Sequence, residues 1–139
     1  MSVTRVLFVC NSNAGCSPMA EALLRHLAGD RIEAGSAGLR PVDIKPAVLS
    51  ALEKLGVSTQ GLYSKGLEQV ADRYFDLVIS LGSRVHQAAS AIPAARHITW
   101  NFDEPGDEDD ARLTRTLHEI YERIKLLVLI QDRQQKSLW

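Results

Sequence analysis

The chain has 139 residues, 45% of them apolar and 24% charged, with 16 basic against 17 acidic side chains. That is enough chain to bury about two thirds of its unfolded surface without disulfide or metal staples, so one soluble domain over 1–139 is expected. The near-zero net charge gives no reason to expect nucleic acid or an anionic membrane as partner. No stretch approaches the ~20 continuous apolar residues of a membrane span.

Met1-Ser-Val-Thr-Arg-Val-Leu-Phe-Val9 holds a short apolar run but lacks the long apolar segment and small-residue cleavage site of an export signal, which points to the cytoplasm. Cys10 and Cys16 are too few for the framework of a secreted mini-protein. In a reducing compartment such a pair is reactive, metal-binding or incidental. Neither belongs to a CxxC, and a zinc site would require two of His26, His86, His97 and His118 to converge, so no metal is expected.

Arg5-Val-Leu-Phe-Val-Cys10 is apolar on both faces, as in a strand buried within a parallel sheet. Asn11-Ser-Asn-Ala-Gly-Cys16 then holds small and turn-forming residues without periodicity. Ser17-Pro18 reads as a helix N-cap with proline at the first helical position. Met19, Ala22, Leu23 and Leu27 recur at helical spacing, and Gly29 supplies the stop. Residues 31–38 predict a second strand. Val48, Leu49, Leu52 and Leu55 mark a helix after Pro46 that Gly56 closes. Residues 76–81 and 96–100 predict the third and fourth strands, each preceded by helical character. A last helix from about 111 to 130 carries Leu113, Leu117, Ile120, Ile124 and Leu127 on one face. This alternation predicts an α/β fold of three layers, α/β/α, around a four-stranded parallel sheet.

In such a sheet, the loop between the end of the first strand and a helix N-terminus is where ligand binds. Backbone N–H groups and the helix dipole there suit a phosphate-like oxyanion. Cys10 opens that loop, and a helix N-terminus favours the thiolate, the nucleophilic form of a cysteine. Ser17 is placed to hydrogen-bond a sulfur across the loop. The same residues also fit a buried strand-end cysteine followed by an ordinary turn.

Val-Leu-Phe-Val-Cys10-Asn-Ser-Asn13-Ala-Gly-Cys16-Ser17-Pro-Met-Ala-Glu-Ala-Leu-Leu-Arg-His-Leu resembles the signature of the low-molecular-weight protein tyrosine phosphatases and of the arsenate reductases that share their fold. The likeness continues through Ala34-Gly-Ser-Ala-Gly38, Ser64-Lys65, residues 76–81 and Trp100-Asn-Phe-Asp-Glu-Pro105, with the arsenate reductase branch the closer. The resemblance implies a phosphatase-type anion-binding loop after strand 1, built from Asn11, Ser12, Asn13, Ala14, Gly15 and Cys16. It implies Cys10 as nucleophile, Asn13 as the residue that shapes the loop, and Ser17 as the hydrogen-bond partner of the nucleophile. The guest would be arsenate, phosphate or sulfate, with no bound cofactor.

The departures matter as much. Cys16 stands where the family has an arginine that clamps the oxyanion. Gly82 and Ala89 stand where thioredoxin-coupled reductases carry two resolving cysteines. Glu104 precedes Pro105, with Asp103 one place earlier, where an aspartate normally protonates the leaving group. Losing one preorganised stabiliser of developing charge costs ~10²–10³ in rate, so weak activity from a degenerate site is expected. An external thiol (thioredoxin, glutaredoxin or glutathione) would have to complete any reduction. Two other readings compete: a non-catalytic thiol sensor or arsenite-binding module that uses Cys10 and Cys16 as a redox pair or dithiol, and a small α/β binding domain with a vestigial loop.

The acidic run 103–110 lacks the ligand spacing of a calcium loop and reads as solvated, with Asp109 or Asp110 capping the last helix. His86 is expected near the mouth of the site but as a surface residue. Trp100 and Phe102 are expected to pack. Lys65 offers a positive charge that nothing in the sequence places at the loop, and Trp139 ends a polar tail.

Overall fold

The computed structural model describes residues 4–101 and 110–137. Strands β1 (Thr4–Cys10), β2 (Ile32–Gly38), β3 (Phe75–Leu81) and β4 (Ala94–Trp100) form one parallel sheet in the order β2-β1-β3-β4. The helices are α1 (Cys16–Ala28), α2 (Pro46–Lys54), the single turn α3 (His86–Ala89) and α4 (Asp110–Ser137). The expected α/β class and all four strands are present.

Strand side chains alternate between two apolar layers, because successive Cβ atoms point to opposite faces of a sheet. Val6, Phe8, Cys10, Leu77, Ile79 and Leu81 pack with α1, α2 and α4. Leu7, Val9 and Val78 pack instead with Val70, Val85, Ala89 and Ile92. These belong to or border the 3₁₀ turns Leu67–Gln69 and Ser83–Val85 and α3, the helical character expected before β3 and β4. That face is therefore covered by short segments rather than full helices. Leu113, Leu117, Ile120, Ile124 and Leu127 of α4 are all buried, as their spacing predicts. Trp100 closes the first layer against Phe8, ring centroids 6.0 Å apart.

Two boundary assignments are corrected. Ser17 is not an N-cap: α1 begins at Cys16, its cap is Gly15, and no side chain caps it. Pro18 accordingly sits at the third helical position, which tolerates proline because the first-turn amides have no acceptor inside the helix. Met19 is the first to bond back, to the Gly15 carbonyl at 3.2 Å. Gly29 follows α1 but with φ −62°, so its left-handed freedom is unused. At the end of α2 that freedom is used. Gly56 has φ +76°, its N–H reaches the Glu53 carbonyl at 2.9 Å, and the Val57 N–H reaches Leu52 at 3.0 Å. That pairing closes the helix in a Schellman turn, with Leu52 and Val57 both in the core.

The strand order reverses at β1, whose onward connection runs outward to β2 before the chain crosses back to β3. The crevice of a doubly wound sheet opens at such a reversal, beyond the carboxyl ends of the strands. The loop after Cys10 lies there.

Candidate functional site

Residues 11–15 join β1 to α1, and four carbonyls of residues 10–14 are bonded away from the loop. Cys10, Asn11, Ser12 and Ala14 carbonyls accept N–H bonds from Leu39 (3.3 Å), Arg40 (2.8 Å), Val42 (3.0 Å) and Lys45 (3.3 Å). The segment after β2 thus runs alongside the loop and takes up its acceptors. A trans peptide sets each carbonyl opposite the following N–H, and no peptide here is cis. The amides of residues 11, 12, 13 and 15 are therefore directed to the inner side. They join the N-terminus of the 13-residue α1, so the concave side carries positive potential suited to an anion.

Cys10 forms the floor of this loop and is fully buried. Its Sγ lies 2.8 Å from Ser17 Oγ and accepts the Asn13 main-chain N–H at 3.2 Å. Asn13 is the only non-glycine residue with positive φ (+49°) among the described residues. Asparagine tolerates that region because its short amide can bond locally. Its Nδ2 donates to Ser17 Oγ and to Ser36 Oγ, each at 2.9 Å, and its Oδ1 accepts the Lys65 N–H at 2.7 Å. Beside it, Gly38 is obligatory. A Cβ at Gly38 would come within 2.7 Å of Asn13 N and 2.9 Å of the Ser12 carbonyl carbon, so β2 can approach the loop only without a side chain.

A second set of residues, of which the sequence singled out only Lys65 and only as a charge, backs this floor. Ser36 Oγ donates to Glu21 Oε1 at 2.6 Å. Glu21 is buried and is held by Arg25, one turn further along α1. Lys65 Nζ stands 3.6 Å from the same Oε1. Ser17, Glu21 and Arg25 recur at intervals of four, so they share one stripe of α1. That stripe is the signal that could have revealed Glu21 before the fold was known.

The other expected site residues fall as follows. Ala14, Gly15 and Cys16 are buried, Ser12 is half-buried and Asn11 is exposed. Cys16 is the first residue of α1, and neither cysteine is in a disulfide. Glu104, with Asp103, Phe102 and Asp109, lies outside the described residues, as does Trp139. Gly82 ends β3 with φ +117°, and Ala89 is buried in α3. His86 Nδ1 pairs with Thr99 Oγ1 at 3.0 Å on the surface. Lys65, by contrast, is placed against the loop by its main-chain N–H on Asn13, while its ammonium turns to Glu21 and the Tyr63 carbonyl. Among the described residues no three His, Cys, Asp or Glu side chains gather as a metal site, and no helix is long and apolar enough to cross a membrane.

The model of the low molecular weight phosphotyrosine protein phosphatase family matches residues 5–137. The chain belongs to this family. An arsenate reductase of Bacillus cereus (strain Q1) is 28% identical over 121 residues, which cover 86% of this chain and 90% of that protein. The solved structure of an arsenate reductase in the phosphate binding state superposes with a TM-score of 0.82 at 26% identity, covering 91% of this chain and 98% of that one. A thioredoxin-dependent arsenate reductase of Corynebacterium glutamicum superposes with a TM-score of 0.73 at 28% identity, covering 95% of this chain and 63% of that one. In this family oxyanion binding and a cysteine nucleophile are shared features.

Proposed function

We propose that the loop 10–17 of this family member binds a phosphate-like oxyanion (arsenate, phosphate or sulfate) with Cys10 as the nucleophile, and that turnover is weak. One observation carries the reading: Cys10 Sγ is held by Ser17 Oγ and the Asn13 N–H at the floor of a loop whose carbonyls are bonded outward. Inward amides favour the charge of the bound oxyanion.

With arsenate, the thiolate of Cys10 would bond to arsenic as one oxygen leaves as water, protonated by a carboxyl, the role that falls to Glu104. A second thiolate would then attack the Cys10 sulfur. Two electrons pass to arsenic, which departs as arsenite, and the two sulfurs are left as a disulfide. Gly82 and Ala89 supply no sulfur, so that thiol is external: glutathione, glutaredoxin or thioredoxin. A phosphate ester would need only water to clear the Cys10 intermediate. Cys16 offers neither the charge nor the paired donors of a guanidinium, which weakens the transition state in either reaction.

Aryl phosphate hydrolysis and thiol-dependent arsenate reduction, each compared with Cys10→Ser, test this reading. Activity above the Cys10→Ser background supports it, and equality in both assays removes it. Cys16→Arg is expected to raise the rate by ~10²-fold or more.

A second reading rests on the burial of Cys10 and Cys16 at the two ends of one loop. It makes them a thiol sensor or an arsenite-binding dithiol. Thiol titration after mild oxidation should then lose both thiols together, and retention of both would count against it.

A further inference from the structure

The outer face of α4 is apolar at a place where a surface helix is ordinarily polar. Leu126, Leu129 and Ile130 sit together in solvent, 57%, 47% and 50% exposed. They lie on the side opposite Leu113, Leu117, Ile120, Ile124 and Leu127, the stripe that packs with α1 and α2. The residues in line with the two leucines are charged. Glu122, Leu126, Leu129 and Arg133 follow at intervals of four, three and four, the rhythm of a seam between two helices, and all four are exposed. Acid stands at one end of this line and base at the other. Glu122 has only an exposed bond to Lys125, at 3.1 Å, which holds it weakly. Arg133 has no ion pair among the described residues.

We propose that this face of α4 is a homodimer surface, on which a second copy of the chain lies antiparallel. A two-fold axis crossing α4 between Leu127 and Val128 sets Leu126 against Leu129 of the second copy and Glu122 against its Arg133, and the same pairs recur on the other side of the axis. Ile130 borders the seam and widens its apolar centre. A parallel pair would instead set Glu122 against Glu122 and Arg133 against Arg133, and sliding the antiparallel pair by one turn would set leucine against charge. The charges therefore select one direction and one register. The helix is held rigidly for this contact, because Arg31 grips Asp132 through bonds of 2.9 and 3.0 Å just before β2 begins. That is the end of the sheet opposite Cys10, so the loop 10–17 stays open in both copies. Three apolar side chains per copy cover less than the ~1,600 Å² of a standard interface, so the dimer is reversible, with a dissociation constant of roughly 10–100 μM.

Sedimentation equilibrium of the full chain, at concentrations reaching about tenfold either side of that constant, tests the proposal. The average mass should rise from one chain to two. Leu126→Glu combined with Leu129→Glu should keep the protein monomeric throughout, with native circular dichroism because both side chains are exposed. Arg133→Glu, which sets two acids against each other at both ends, should weaken association about tenfold. Adding Glu122→Arg to Arg133→Glu reverses the pair and should restore it. A wild-type chain that stays monomeric at every concentration would overturn the proposal, whether the face is then used by some other partner or by none. A dimer that survives the double leucine substitution would overturn it as well. If that variant fails to fold, the charge reversal decides: association indifferent to Arg133→Glu, or not recovered by the added Glu122→Arg, contradicts the antiparallel seam.

Discussion

The side-chain carbonyl of Asn13 accepts the main-chain N–H of Lys65 at 2.7 Å, across 52 positions of sequence. This bond, with the two donated by Asn13 Nδ2, holds a non-glycine residue at φ +49° and so sets the curvature of the whole loop. Asn13→Ala would lose all three bonds and keep the strained φ. A stability loss of about 2–4 kcal/mol is expected, since buried partners are left unsatisfied. The midpoint of urea unfolding measures it, and a loss below about 0.5 kcal/mol would show that the loop keeps its shape without this side chain.

Gly38 is the second constraint on that curvature. The Cβ of Gly38→Ala would overlap Asn13 N at 2.7 Å and Asn13 Cβ at 2.9 Å, and rigid main chain cannot yield as a long side chain would. Overpacking of this kind costs about 1–3 kcal/mol. Because the displaced atoms are those that turn the N–H of Asn13 onto Cys10, phosphate binding is expected to fall further than stability does. Calorimetric titration beside thermal unfolding separates the two. Unchanged phosphate affinity in a folded Gly38→Ala protein would mean that the approach of β2 does not shape the loop.

Ser80 offers a change in the opposite direction. Its Oγ is buried on β3 and finds no hydrogen-bond partner among the described residues. Removing an unsatisfied buried hydroxyl recovers its desolvation penalty, so Ser80→Ala should gain about 1 kcal/mol. A rise in Tm checks this, and a fall would mean that the hydroxyl has a partner or that its volume is needed.

The strands and the cysteine-bearing loop were legible because their signals are local. Arg5-Val-Leu-Phe-Val-Cys10 is apolar on both faces, and the small residues that follow cannot continue a strand or start a periodic helix. Ser17 shows where local reading fails. Ser-Pro is a common N-cap pattern, yet the helix had begun one residue earlier and the hydroxyl is used on Cys10 Sγ instead. Ser36, Glu21 and Lys65 were unreadable for a different reason. Their contacts with one another and with Asn13 span 15, 23 and 52 positions, and they form only once β2 pairs with β1 and residues 65–66 return beside Gly38. Family resemblance identified the roles of Cys10, Asn13 and Ser17. It assigned no role to Lys65, whose contacts with Asn13 and Glu21 follow from where the chain returns beside Gly38.

The central claim is that Cys10 lies at the floor of a loop built to hold an oxyanion. Its most direct measurement is the rate at which iodoacetamide modifies Cys10 in the wild-type protein as arsenate or phosphate is added, with chloride at matched ionic strength as control. Saturable slowing at Cys10 by the tetrahedral oxyanions and little effect of chloride are expected. An alkylation rate at Cys10 indifferent to arsenate and phosphate at millimolar concentration would contradict it.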